Sequence, residues 1–195
     1  MKFIKHQVDY GVMRYKSKKF LIDGFNVDKI AKTYKTPVYC YSFKRLRENI
    51  KDFKKNFKRI NPLTCFSVKA NSNKILLNEI GKLGLGADVV SIGELLKALK
   101  SGIKPNKIVF SGVGKTKNEL SFAIEKKILL INAESKSEIL EIEKIAKSKK
   151  RKVNVGIRLN PNTDAKTLSQ ISTGKKENKF GVSEKRFLEL TKYIR

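Results

Sequence analysis

The chain has 195 residues, enough for one substantial core or part of a larger one. Its 40% apolar and 9% aromatic content, with Ile, Leu and Val spread along the whole length, excludes disordered, collagen-like and mucin-like classes. The formal charge of +26 raises a nucleic-acid partner, but only eight of the 44 basic residues are Arg, and the lysines fall mainly on the polar faces of helices.

Nucleic-acid surfaces use Arg forks and interleaved aromatics, so a basic nucleic-acid-binding protein is kept only as the alternative from another class. No stretch of 18 apolar residues runs without a charge, and the N-terminus has no signal-peptide apolar core, so the expectation is a soluble, cytoplasmic protein. Cys40, Cys65 and His6 are too few for a disulfide framework, a zinc cluster or Cys-His catalysis.

The first 36 residues read as a lead-in element, with short alternating runs at 2–8 and 20–22 and a short helix over 27–34. Val38-Tyr39-Cys40-Tyr41 predicts a strand, and Ser42 a helix N-cap. Phe43, Leu46, Ile50, Phe53 and Phe57 then recur at helical spacing on one face. After Asn61-Pro62 the chain repeats a short apolar strand, a polar turn and an amphipathic helix, with strands over 65–68, 87–90, 108–110, 129–131 and 153–159. Capping boxes are expected at Ser91/Glu94, Thr116/Glu119 and Ser135/Glu138, and helix stops at Gly84 and Gly102.

This alternation implies right-handed βαβ crossovers and a parallel sheet, doubly wound or closed as a (β/α) barrel. Five strands cannot close an eight-stranded barrel. A last helix signal (Ser183, Phe187, Leu190, Tyr193, Ile194) runs into Arg195 without a stop, so the chain is expected to be truncated and, taken alone, poorly soluble.

In such architectures sites form at the carboxyl ends of the strands. Lys69 follows the first barrel strand, where burial would lower its pKa and free an amine for Schiff-base chemistry. Asp88 lies inside the second and needs a cationic or hydrogen-bonding partner, for which Arg158 and Lys69 are the candidates. Asn132-Ala133-Glu134 at the fourth exit serves a helix cap as readily as a ligand. Gly112-Val113-Gly114-Lys115-Thr116 has the setting of a phosphate-binding loop, but Val109 stands where the first glycine is needed, which argues against nucleotide hydrolysis.

Phe66-Ser67-Val68-Lys69-Ala70-Asn71 resembles the lysine motif of the group IV pyridoxal-phosphate decarboxylases, and residues 86–95 resemble their second-strand motif. Residues 108–116, 131–135, 158–161, 171–174 and 178–181 are similar to the diaminopimelate decarboxylase branch in particular. The resemblance implies an alanine-racemase-type (β/α)8 barrel over 37–195, here incomplete, with the rest of the barrel and a β-rich domain beyond Arg195. It places 1–36 with or against that β-rich domain. It implies pyridoxal 5'-phosphate as cofactor, held as an imine by Lys69 in a pocket lined by Asp88 and Arg158, with Lys179 near the contact of a homodimer that shares its active site. The implied reaction converts meso-2,6-diaminopimelate to L-lysine and carbon dioxide, with an ornithine- or arginine-type decarboxylase or a racemase of the same fold as alternative. Ser67 stands where the family has a small or apolar residue, and Thr167-Leu168 where it has Thr-His. With the stacking histidine, glycine loop and ring-nitrogen carboxylate expected beyond Arg195, the chain alone should be inactive and bind the cofactor weakly.

Overall fold

The computed structural model describes residues 11–60, 62–163 and 180–194. The run at 2–8, His6, Asn61, Thr167-Leu168, residues 171–174, Lys179 and Arg195 lie outside them. The chain forms two compact units, Met1–Pro62 and Leu63–Arg195.

The first unit opens with an antiparallel meander, β1 (Met13–Lys16), β2 (Lys19–Ile22) and β3 (Phe25–Asn26). Its hairpins turn on Ser17-Lys18 and Asp23-Gly24, all four residues at positive φ, as two-residue hairpins with matching twist require. Asn26 then caps α1 (Val27–Tyr34) by accepting the Asp28 N–H at 2.8 Å. Ser42 caps α2 (Phe43–Asn56) by accepting the Arg45 N–H at 2.9 Å, as expected. The strand expected over 38–41 is absent: the segment pairs with no edge among the described residues, and Tyr39 is 86% exposed. Strand propensity needs a neighbouring ladder to act on, and among the described residues none pairs with it.

The second unit is a parallel five-stranded sheet in the order β4 (Cys65–Ser67), β5 (Gly86–Val89), β6 (Ile108–Phe110), β7 (Leu130–Ala133), β8 (Val155–Ile157). Strictly sequential order decides between the two windings left open above, because a doubly wound sheet reverses its order at a switch point. The sheet is part of the wall of a (β/α) barrel. Helices α3 (Lys74–Lys82), α4 (Ile92–Lys100), α5 (Lys117–Glu125), α6 (Lys136–Ser148) and α7 (Glu184–Tyr193) follow the strands in turn. Ala87, Val89, Ile108, Phe110, Ile131 and Ala133 are fully buried, and Leu77, Leu95, Leu120 and Ile142 of the helices are buried too. Side chains alternate along a strand, so Ser67, Asp88, Val109 and Leu130, which are register partners, share the opposite face. Gly84 (φ 79°) and Gly102 (φ 81°) stop α3 and α4 as expected. No described helix is long and apolar enough to cross a membrane.

Of the three expected capping boxes only Thr116/Glu119 is complete. At Ser91 and Ser135 the hydroxyl accepts the N3 N–H, but Glu94 and Glu138 accept from the residue before the cap, Val90 and Glu134, each at 2.9 Å. The cause is the cap backbone: Ser91 and Ser135 have φ near −156° and −158°, against −73° at Thr116, which turns their own N–H away from the helix.

Burial raises the Glu119 carboxyl, but hydrogen bonds from the Thr116 and Ile92 N–H groups and the Thr116 hydroxyl, with the Lys115 charge, hold it below its ordinary value of 4.5. A depressed folded value means stability that is present above pH 4.5 and lost as the pH falls through the folded value. Glu119→Gln should therefore be less stable than the parent by about 1 kcal/mol near neutrality, with the difference closing in acid. Urea melts at pH 7 and below pH 4 check this, and a difference independent of pH counts against it.

Candidate active site

The strand ends of β4 to β8 open on a cavity of about 750 Å³, lined by Lys69, Asp88, Ser111, Asn132, Glu134 and Arg158, with Val90, Val113, Ile157 and Phe180 as its apolar wall. Its size falls in the range of small-molecule sites, about 300–1,000 Å³.

Lys69 sits in a single 3-10 turn, Val68–Ala70, that ends β4. Val68 takes the buried position, and the Lys69 side chain is exposed at the cavity mouth, where among the described residues no hydrogen bond or ion pair is seen to its ammonium. The burial expected of Lys69 is therefore not found. β4 is the edge strand of the described sheet.

Asp88 has neither of the partners expected of it. Ser111 Oγ donates to Asp88 Oδ1 at 2.6 Å, and Asn132 Nδ2 donates to Ser111 Oγ at 3.0 Å, giving a line of side chains across β5, β6 and β7. Arg158 is three strand spacings from Asp88, about 14 Å along the sheet. It pairs instead with Glu134, Nη1 to Oε1 at 2.9 Å, and stacks over the Phe180 ring with its guanidinium carbon 5.0 Å from the centroid. Glu134 is 9% exposed, and its second oxygen accepts the Gly181 N–H at 2.8 Å. Glu134 is thus part of the site, and its helix-capping alternative falls to Ser135.

Ser111 and Phe180 carry no role of their own in the sequence reading, and Asn132 stands there only within Asn132-Ala133-Glu134 as a cap or a ligand. A periodicity signal places Ser111 and Asn132 in the site: they stand two residues beyond Val109 and Leu130, which share the Asp88 face. Lys115 of the Gly-Lys-Thr turn points inward with its side chain 1% exposed, its ammonium committed to Glu138 and the Asn132 carbonyl. Burial, then the Asp88 charge, pushes the Cys65 thiol above its ordinary value, so it stays protonated.

A parallel (β/α) sheet with an amine, a carboxylate and a braced guanidinium around one cavity at its strand ends defines a class of (β/α) proteins whose site residues suit an anionic, carbonyl-bearing ligand. The chain belongs to the pyridoxal-dependent decarboxylases: residues 43–195 match the family's pyridoxal-binding domain. It is 51% identical over 166 residues to a diaminopimelate decarboxylase of Helicobacter pylori, covering 85% of this chain and 41% of that protein. A structure of H. pylori diaminopimelate decarboxylase complexed with L-lysine superposes with a TM-score of 0.82 at 48% identity, over 86% of this chain and 43% of that one. The enzyme of M. jannaschii in co-complex with L-lysine superposes at 0.83 with 37% identity, over 93% of this chain and 44% of that one. The chain spans about two-fifths of the length of the curated relatives it matches.

Proposed function

We propose that this chain is the cofactor-binding portion of an enzyme that decarboxylates meso-2,6-diaminopimelate to L-lysine. The observation that carries the reading is the Lys69 amine, free of polar partners among the described residues, at the mouth of a cavity that also holds Asp88 and Arg158. The identity of 51% to a diaminopimelate decarboxylase supports the choice of substrate.

The residues present fit pyridoxal phosphate. Lys69 is uncommitted and accessible to an aldehyde, Asp88 offers a carboxylate with one oxygen already fixed by Ser111, and Arg158 is braced on one side by Glu134. When bound, the cofactor supplies an electron-accepting ring conjugated with the substrate amine. Lys69 Nζ would hold the group through its aldehyde. The carbon that loses carbon dioxide must gain a proton, and Lys69 Nζ is the ammonium of the cavity able to carry one. Asp88 would balance positive charge on the bound group, and the Asn132–Ser111 line fixes one oxygen of its carboxylate. Arg158 presents its remaining N–H donors to an anionic group of cofactor or substrate.

The same reading makes the enzyme a cytoplasmic homodimer with a shared active site. It assigns 37–195 to the barrel and 1–36 to the lead-in of the β-rich domain. The full-length gene should restore growth of a lysine auxotroph lacking this decarboxylase. Growth only with added polyamine would overturn the assignment of substrate.

A further inference from the structure

Lys115 lies in the turn between β6 and α5, yet reaches across to the end of β7 and the first turn of α6. Its Nζ donates to the Asn132 carbonyl at 2.6 Å and to Glu138 Oε1 at 2.7 Å, and stands 5.5 Å from the Phe110 ring centroid. Glu138 is 10% exposed, and its other oxygen accepts the Glu134 N–H at 2.9 Å. Two glycines give the turn this course. A Cβ on Gly112 would come within 2.2 Å of the Val90 carbonyl oxygen, and Gly114 has φ +63°, so the chain doubles back and sends Lys115 inward.

We infer that Lys115 is a positioning residue of the site, a buried cation that fixes Asn132 and Glu134 and through them both polar arms of the cavity. One of its contacts falls on the Asn132 backbone carbonyl and the other on the Glu138 carboxylate, which in turn accepts the Glu134 N–H. Through the Asn132 carbonyl it holds the residue whose amide orients Ser111 and hence Asp88. Through Glu138 it holds the N–H of Glu134, which braces Arg158. Lys115 also belongs to the same turn as Ser111, so it staples the Ser111 turn to the strand that orients the Ser111 hydroxyl. With the side chain nearly inaccessible, a direct contact with substrate or phosphate is excluded. A misplacement of about 1 Å in such a site is enough to cost on the order of 10²-fold in rate.

The inference rests on the cavity being a pyridoxal-phosphate site, and the test separates the two. Lys115→Met alone strands a buried Glu138 charge and can fail to fold, so the informative variant is Lys115→Met combined with Glu138→Gln in the full-length protein, which removes both charges together. We expect it to melt close to the parent but to lose about 10-fold to 100-fold in kcat, the scale on which supporting residues around a site act. The visible absorbance band of bound pyridoxal phosphate should also titrate at a lower pH, because a misaligned Asp88 stabilises less positive charge beside Lys69. A folded double variant with the parent's kcat and the parent's absorbance titration overturns the inference. Should the double variant not fold, Glu138→Gln alone carries the test, with the same shift expected and an unchanged titration overturning it. A parent protein with no such band, and no lysine adduct after borohydride reduction, removes the cofactor reading itself and the inference with it.

Discussion

Lys69→Ala in the full-length protein should abolish turnover, with kcat down on the order of 10³-fold or more, the scale for removing a covalent-catalysis group. Stability of the cofactor-free protein should hardly change. Lys69 is exposed and, among the described residues, makes no hydrogen bond or ion pair, so its truncation deletes no packing and strands no partner. Surface changes of that kind stay within about 0.5 kcal/mol. What is lost is the amine at the cavity mouth, and Asp88, Ser111, Asn132, Glu134 and Arg158 offer no primary amine to replace it. Two measurements check this together: a thermal melt of cofactor-free parent and variant, and borohydride reduction of the parent with pyridoxal phosphate followed by peptide mapping. The label should fall on the peptide that contains Lys69. Label on another lysine, with Lys69→Ala still active, would reverse the central assignment.

Glu134→Ala should lose both stability and activity. Glu134 is nearly buried and serves two donors, the Arg158 guanidinium and the Gly181 N–H. Its removal leaves Arg158 without its carboxylate and Gly181 without its acceptor. A buried partner stranded in this way costs 3–5 kcal/mol or so, but Arg158 is 37% exposed and water screens part of the loss, so about 2–3 kcal/mol is expected. Equilibrium denaturation should show a lower midpoint at an unchanged slope. Activity should fall further than stability explains, because Arg158 loses the brace that aims it. Glu134→Gln keeps one acceptor oxygen and the side-chain volume, and should fall between the two. A Glu134→Ala protein with parental stability and rate would mean that the pair does not hold the cavity.

Much of the second unit was legible in the sequence because local rules governed it. The strand-and-helix alternation from Cys65 to Ile157, the stops at Gly84 and Gly102, and the hydroxyl caps at Ser91, Thr116, Ser135 and Ser183 depend on spacing and backbone chemistry within a few residues. The presence of Lys69, Asp88 and Arg158 at strand ends followed from the same periodicity, and the motif resemblance pointed to the family that the match over 43–195 shows.

Partnership was another matter, because it depends on which side chains the sheet order sets side by side. Asp88 and Arg158 are complementary in charge, yet sequential strand order puts β6 and β7 between them, and the near neighbours Ser111 and Glu134 take the bonds. The Lys115 ammonium has the spacing of a surface or phosphate-binding group, and only the turn built on Gly112 and Gly114 sends it into the protein. The strand-like 38–41 segment failed for the converse reason, since its propensity met no pairing edge among the described residues. Sequence by itself determined the elements, the parallel class and the chemistry available at the strand ends. Tertiary structure decided the winding and the pairing of charges, because hydrogen bonds and ion pairs act over about 3 Å and residues distant in sequence come that close only once the sheet is ordered.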